Sequence, residues 1–259
     1  MKTILRTENV VKNFSGLVAV RDLSFEMAER NIHALIGPNG SGKTTTINMI
    51  TGAFPVTSGR IFYGDTEISG MPTHQIARLG IGRTFQNLKL FTSMTVMENL
   101  MVGGHQMMPA GILRFLVDPA KSRQEEKQVE EKAKQVLDFI GMYDLKDEKV
   151  SSLPYGRQKM TELGRALMMD PKLLFLDEPA AGLNPSERVE FVNIMLKTFD
   201  LGIDLFLIEH NMDVVMNICS RITVLNFGAK IAEGTPDEIK NNEEVIKAYL
   251  GNRYQSEKA

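Results

Sequence analysis

The feature that most limits what this chain can become is the loop Gly37-Pro38-Asn39-Gly40-Ser41-Gly42-Lys43-Thr44. It follows a short apolar run, Ile32-His33-Ala34-Leu35-Ile36, that reads as a buried strand, and it leads into residues 45–50, which suit a helix. Gly37, Gly42, Lys43 and Thr44 satisfy G-x-x-x-x-G-K-[ST] in the strand–loop–helix setting where that pattern works. Glycines let backbone N–H groups close around phosphate oxygens, and the helix N-terminus adds positive potential. Lys43 offers a point charge to β- and γ-phosphates, and the Thr44 hydroxyl can ligate Mg²⁺. With Pro38, Asn39, Gly40, Ser41 and Thr45 these residues form a candidate nucleotide-binding segment.

A second constellation is Leu173-Leu174-Phe175-Leu176-Asp177-Glu178. Four apolar residues ending in two carboxylates read as a buried strand that delivers acids to the carboxyl edge of a sheet, where α/β proteins bind ligands. Asp177 is placed to hold a Mg²⁺ shell, and Glu178 to polarise an attacking water as general base. Gln86 after Gly82-Arg83-Thr84-Phe85, and His210 after Leu205-Phe206-Leu207-Ile208-Glu209, each sit where a strand should end, within reach of the same γ-phosphate.

The rest of the chain frames these segments. Residues 3–14 and 17–27 carry β-branched and aromatic side chains around a Ser15-Gly16 turn, and residues 60–63 before Gly64-Asp65 suggest another edge strand. Thr57-Ser58-Gly59 and Ser151-Ser152 read as turns and caps. Residues 119–140 are rich in Lys and Glu, with Val129, Ala133, Val136, Leu137 and Ile140 at helical spacing. Beyond Leu153, helical patterns at 156–169, 185–199 and 211–219 alternate with strands at 173–176, 205–208 and 222–226, the last before a Phe227-Gly228 turn. Such alternation predicts an α/β chain with a mostly parallel sheet covered on both faces, and the helical middle becomes an insertion.

Composition narrows the function classes. The 259 residues carry 30 Lys plus Arg against 32 Asp plus Glu, a net charge of −2, which does not suit a non-specific nucleic-acid binder. No apolar run reaches the length of about 18 residues that a membrane-spanning helix needs. Glu8 interrupts the place where a signal peptide would have its apolar core, so the expectation is a chain that is not exported. The single cysteine, Cys219, cannot form an internal disulfide and reads as a small core residue. Five of the 16 methionines cluster between Met94 and Met108, and Met suits an irregular partner surface as well as an irregular core.

The order phosphate loop, Gln86, helical insertion, Leu153-Pro154-Tyr155-Gly156-Arg157-Gln158, Leu176-Asp177-Glu178-Pro179 and His210 resembles an ABC-type ATPase subunit over essentially the whole chain. The phrases Arg83-Thr84-Phe85-Gln86-Asn87, Met94-Thr95-Val96-Met97-Glu98-Asn99-Leu100, Ala180-Ala181-Gly182-Leu183-Asn184-Pro185 and Ile208-Glu209-His210-Asn211-Met212 are similar to those of branched-chain amino acid importer ATPases. So is the ending Asn241-Asn242-Glu243-Glu244-Val245-Ile246-Lys247-Ala248-Tyr249-Leu250-Gly251.

The resemblance implies a P-loop NTPase core with a mostly parallel sheet, an N-terminal antiparallel β-subdomain and an inserted helical subdomain. Its units would be residues 1–86, 87–155, 156–240 and a C-terminal helix and tail at 241–259. It implies ATP and Mg²⁺ as ligands, with Phe14 as the aromatic on which adenine stacks and Gln86 joining Thr44 and Asp177 at the metal. Glu178, His210 and Gln86 would be the catalytic set. It also implies two ATPase subunits packed head to tail, either two copies or two homologous chains, in which Tyr155 and Gly156 of one cover the ATP of the other. Pro154 departs from the family's serine in that segment and offers neither hydroxyl nor N–H.

The implied partners are polytopic membrane permease subunits, indirectly a substrate-binding protein, and no nucleic acid. The implied location is cytoplasmic, on the inner face of the membrane. Residues 94–108, and Leu113-Arg114-Phe115-Leu116-Val117 beyond them, would then face the permease. A soluble ABC protein acting on nucleic acid or ribosomes would carry two ATPase units or a long coiled-coil insertion. This chain has one unit and no sustained heptads.

Overall fold

The computed structural model describes residues 2–107 and 119–256. Two sheets and a helical layer share one molecule, and the pattern of the buried strands explains how. β3 (Ile32–Ile36), β7 (Leu173–Asp177) and β8 (Asp204–Ile208) are buried at every position. With β6 (Ile81–Arg83), β9 (Arg221–Asn226) and β10 (Ala229–Gly234) they form a sheet of order β10-β9-β3-β8-β7-β6. All its pairs are parallel except the edge pair β9–β10. Strands buried on both faces read as continuous apolar runs, which is the pattern the sequence shows.

Successive side chains of a strand point to opposite faces, so each central strand feeds two cores. Ala34, Ile36, Leu174, Leu176, Leu205 and Leu207 join the helical core. Leu35, Leu173, Phe175, Phe206 and Ile208 pack instead against the N-terminal sheet. That second sheet is antiparallel, ordered β2-β1-β4-β5, from β1 (Thr3–Phe14), β2 (Leu17–Ala28), β4 (Ser58–Tyr63) and β5 (Thr66–Glu67). Ser15 and Gly16 join β1 to β2 with φ of 45° and 98°, the two positive values of a tight hairpin turn.

The strand at residues 60–63 starts earlier than the sequence suggests, because Ser58 and Gly59 are its first residues and not a turn. Gly59 adopts φ 85° opposite a register shift in β1, and a Cβ there would lie 2.3 Å from the Asn9 carbonyl oxygen. The glycine belongs to a bulge, where a strand interior looks locally like a loop.

The helices are α1 (Lys43–Ile50), α2 (Thr73–Arg78), α3 (Val96–Gly103), α4 (Pro119–Phe139), α5 (Tyr155–Leu167), α6 (Pro185–Asp200), α7 (Met212–Ile218), α8 (Pro236–Lys240) and α9 (Glu243–Ser256). Val129, Ala133 and Leu137 are fully buried along α4, as is Ile140 just past it. That confirms the helical spacing and leaves the charged side chains as a solvated face. Thr95 caps α3 by accepting the Glu98 N–H while Glu98 accepts the Thr95 N–H. Met97 and Met101 are half-buried against the helical core, so this part of the methionine stretch packs internally as well as facing outward. Met108 and the segment Leu113-Arg114-Phe115-Leu116-Val117 lie outside the described residues.

Cys219 is buried, and burial pushes its thiol up to about 12, in keeping with a small core residue. Among the described residues no helix is long and apolar enough to cross a membrane.

Candidate nucleotide-binding and catalytic site

β3 delivers Gly37 to the sheet's carboxyl edge, and two glycines then let the loop pack tightly. A Cβ on Gly37 would lie 2.1 Å from the Leu225 carbonyl oxygen, and one on Gly42, at φ 101°, 2.6 Å from that of Ala19. The β9–β10 turn clamps the loop from the other side. The Gly228 N–H donates to the Ser41 carbonyl (3.1 Å), and the Gly228 carbonyl accepts from the Arg21 N–H (2.7 Å).

Lys43 is buried at the start of α1 and donates to the carbonyls of Gly37 (2.7 Å) and Pro38 (2.9 Å). Burial lowers its pKa, while the carboxylates of Glu178 and Asp177 act to raise it. Thr44 and Asn39 are exposed, Pro38 and Thr45 half-buried, and the buried Ser41 hydroxyl has no hydrogen-bond partner in the structure. A cleft of about 540 Å³ runs from Gly40, Ser41, Gly42, Lys43, Thr44 and Thr45 to Phe14. Phe14 is 38% exposed, meets Phe54 edge-on at 5.5 Å between ring centroids, and carries the Lys12 ammonium 4.9 Å from its own ring.

The acidic pair lies at the end of β7. Asp177 pairs with Ile208 of β8, and the Glu178 N–H donates to the Ile208 carbonyl at 2.8 Å. Glu178 has φ 49°, a left-handed backbone that costs a β-substituted residue and sits where the strand turns into the site. His210 Nδ1 lies 3.7 Å from Glu178 Oε2, with the imidazole more exposed than the carboxylate.

Asp177 is buried, and burial raises its pKa against the opposing pull of the Arg83 guanidinium. Arg83 binds one carboxylate oxygen, Oδ2, at 3.0 Å and reaches Asn48 and Thr51 at the end of α1. The other oxygen, Oδ1, is buried without a partner. Gln86 does not sit at a strand's end. β6 stops at Arg83, and Gln86 follows in an exposed segment, because no partner strand extends the ladder past Arg83–Phe175. Gln86, Asp177, Glu178 and His210 lie outside the set lining the Phe14 cleft, and the link to it is electrostatic, through Lys43.

Tyr155 and Gly156 open α5 at a different place. A Cβ on Gly182 would lie 2.8 Å from the Tyr155 ring, and one on Gly156 would meet the Glu187 side chain at 2.7 Å. Neither Tyr155 nor Gly156 lines the phosphate-loop cleft. Pro154 holds the N-cap position with no side-chain hydrogen bond, and its carbonyl accepts from the Gln158 N–H.

Three residues whose roles are not legible in the sequence organise this region. Arg83 is one. Lys159 of α5 is buried and donates to the carbonyls of Glu178 and Pro179. Glu209, also buried, accepts the N–H groups of Ala180 (2.7 Å), His210 and Asn211 (both 2.9 Å). A charged residue directly after an apolar run is the only local signal for Glu209, and Lys159 has none.

Among the described residues no three His, Cys, Asp or Glu side chains gather as a metal cage. The Asp177 oxygen without a partner and the hydroxyl of Thr44 instead suit a hard cation that takes most of its ligands from water and phosphate.

Residues 20–181 match the family model described as ABC transporter, and residues 229–254 match one described as branched-chain amino acid ATP-binding cassette transporter. The chain is 42% identical to the high-affinity branched-chain amino acid transport ATP-binding protein LivG of Salmonella typhimurium, across 96% of this chain and 98% of that one. It is 40% identical to BraF of Pseudomonas aeruginosa, named likewise, over the same shares. Among solved structures, a nucleotide-free ATP-binding cassette from an ABC transporter aligns with a TM-score of 0.83 and 36% identity, covering 95% of this chain and 98% of that one. The ADP conformation of another such cassette aligns with a TM-score of 0.84 and 35% identity, over 97% and 100%.

Proposed function

The chain belongs to the ABC transporter family of ATP-binding subunits and is an ATPase, and from that premise we propose that it powers an importer of branched-chain amino acids. The observation that carries the residue assignments is the convergence of Lys43, Asp177 and Glu178, whose charges act on one another at the carboxyl edge of one sheet. The substrate class rests on the printed names of the relatives and on the match over residues 229–254.

In this reading ATP lies along the cleft with its base against Phe14 and its phosphates in the loop from Gly37 to Thr45. Lys43 exchanges the carbonyls of Gly37 and Pro38 for phosphate oxygens, so its charge is already in place when nucleotide arrives. Glu178 takes the proton of the attacking water, and His210 beside it donates to the γ-phosphate. Thr44, Asp177 and Gln86 hold Mg²⁺, which when bound offsets charge on the phosphates. Tyr155 and Gly156 serve the ATP of a second ATPase subunit, a role supported by their absence from the lining of this chain's own cleft.

The helical unit within residues 87–155 meets the permease, with Met97 and Met101 as apolar anchors. The subunit then works in the cytoplasm on the inner face of the membrane, and a substrate-binding protein acts through the permease.

Reconstitution tests the whole. The chain, assembled with its permease, a second ATPase and a binding protein in vesicles, is expected to drive uptake of radiolabelled leucine, isoleucine or valine on ATP. Uptake that needs ATP but ignores all three amino acids would overturn the substrate and leave the ATPase.

A further inference from the structure

Phe227 is 76% exposed, more than any other large apolar side chain among the described residues. With Gly228 it forms the connection between β9 and β10, across which Asn226 pairs with Ala229. Both connecting residues have positive φ, 45° and 82°. Such a turn favours Asn, Asp or Gly at its first central position, and a phenylalanine there is strained. Turn preference and burial therefore both argue for a small polar residue. Most of the benzyl group stands in solvent and not in the chain's own core, and strain of this kind collects where a ligand is held.

The position of the turn identifies the ligand. Gly228 is hydrogen-bonded to Ser41 of the phosphate loop and to Arg21 of β2. Phe227 lines the same 540 Å³ cleft as Phe14 and Lys43. A purine presents two π faces and two long edges. Phe14, itself 38% exposed, can cover only part of that surface.

We infer that Phe227 is a second aromatic contact for the purine of the bound nucleoside triphosphate. This rests on the proposed reading of the cleft as the nucleotide site. Aromatic stacking uses the face of a base and reads none of its hydrogen-bonding edge. The contact therefore adds affinity for ATP and GTP alike, and none for the phosphates.

Titration of the full chain with MgATP, MgGTP and magnesium tripolyphosphate tests it. Phe227→Asn, which suits the turn, is expected to weaken ATP and GTP by about five- to tenfold while leaving tripolyphosphate within about twofold. Its thermal midpoint should not fall, and Phe227→Tyr should bind as the original does. Unchanged ATP affinity in the Asn variant would overturn the inference. So would an equal loss for ATP and tripolyphosphate, which would mark a distorted loop. Lys43→Ala separates this from the underlying reading. If it binds both ligands normally, the cleft is not the nucleotide site. If it loses both while Phe227→Asn loses neither, only the role of Phe227 falls.

Discussion

The Lys159 ammonium donates a 2.6 Å hydrogen bond to the main-chain carbonyl of Glu178, and a second of 3.0 Å to that of Pro179. Lys159 lies one turn beyond Tyr155 and Gly156 on α5. The segment proposed to close a partner's ATP is thus tied by a buried charge to the residue proposed as base at this chain's own ATP. Burial lowers the lysine's pKa, and Glu209, Glu162, Glu178 and Asp177 oppose that shift.

Lys159→Met should therefore do more than loosen the fold. It leaves two carbonyls without their donor, at about 1–3 kcal/mol for each buried group left unmade, and frees the backbone that orients Glu178. We expect a lower denaturation midpoint, and a kcat for ATP that falls by more than KM rises. Lys159→Arg should recover part of kcat. An unchanged kcat in the folded Met variant would make the contact purely structural.

Glu178→Gln keeps the shape of the side chain and loses its basicity. The backbone bond to Ile208 does not involve the carboxylate, so the turn should survive. Turnover in the assembled transporter should fall about 100-fold or more, the range for a lost general base, with ATP affinity retained and ATP-bound dimers accumulating. Wild-type hydrolysis rates would assign the base elsewhere.

Arg83→Met removes the guanidinium that holds Asp177 Oδ2. Breaking a buried pair from one side costs about 3–5 kcal/mol, measurable by denaturant titration. Burial already raises the Asp177 pKa and Arg83 opposes it, so the carboxyl should protonate at higher pH in the variant. The acid limb of the ATPase profile should move upward. An unmoved limb would show that Asp177 does not govern it.

His33 is buried against Phe25 and Phe206, whose rings also meet each other, and its imidazole is pushed down to about 4, chiefly by burial. The folded state therefore stays neutral where the unfolded chain, at 6.5, takes up a proton. Above pH 6.5 the residue contributes no slope. From 6.5 down to about 4 stability should fall, by about 1.4 kcal/mol per pH unit from this group alone. Denaturation midpoints across that range should decline less steeply in His33→Leu. Parallel curves would show that His33 ionises in the folded protein.

Met97→Glu or Met101→Glu puts a carboxylate on half-buried side chains of α3. Burying it unpaired against a permease costs several kcal/mol. Co-purification with the membrane subunits should fail, or hydrolysis should uncouple from uptake, while the isolated chain still binds ATP. Normal assembly and transport would remove this stretch from the interface.

The phosphate loop and the acids after Leu176 were legible because their signals are local. A strand buried on both faces, a glycine-rich turn and a helix start are neighbours along the chain, so the same residues that announce them also build them. The spacing of Val129, Ala133 and Leu137 announced α4 in the same way. Ser58 and Gly59 misled because a bulge and a turn ask for the same residues, and only the partner strand β1 tells them apart.

The contacts that hold those acids in place carry no such signature. Arg83 and Asp177 are 94 positions apart and meet because β6 lies beside β7. Glu209 reaches Ala180 because β8 lies on the other side of β7. Lys159 finds Glu178 from a helix whose own sequence gives no hint of the contact. The chain's local pattern sufficed for the elements and the phosphate loop, since backbone preference and burial period act over a few residues. Which charged side chains would face one another was settled by the parallel order β3-β8-β7-β6, because crossover connections bring together residues whose separation no local preference records.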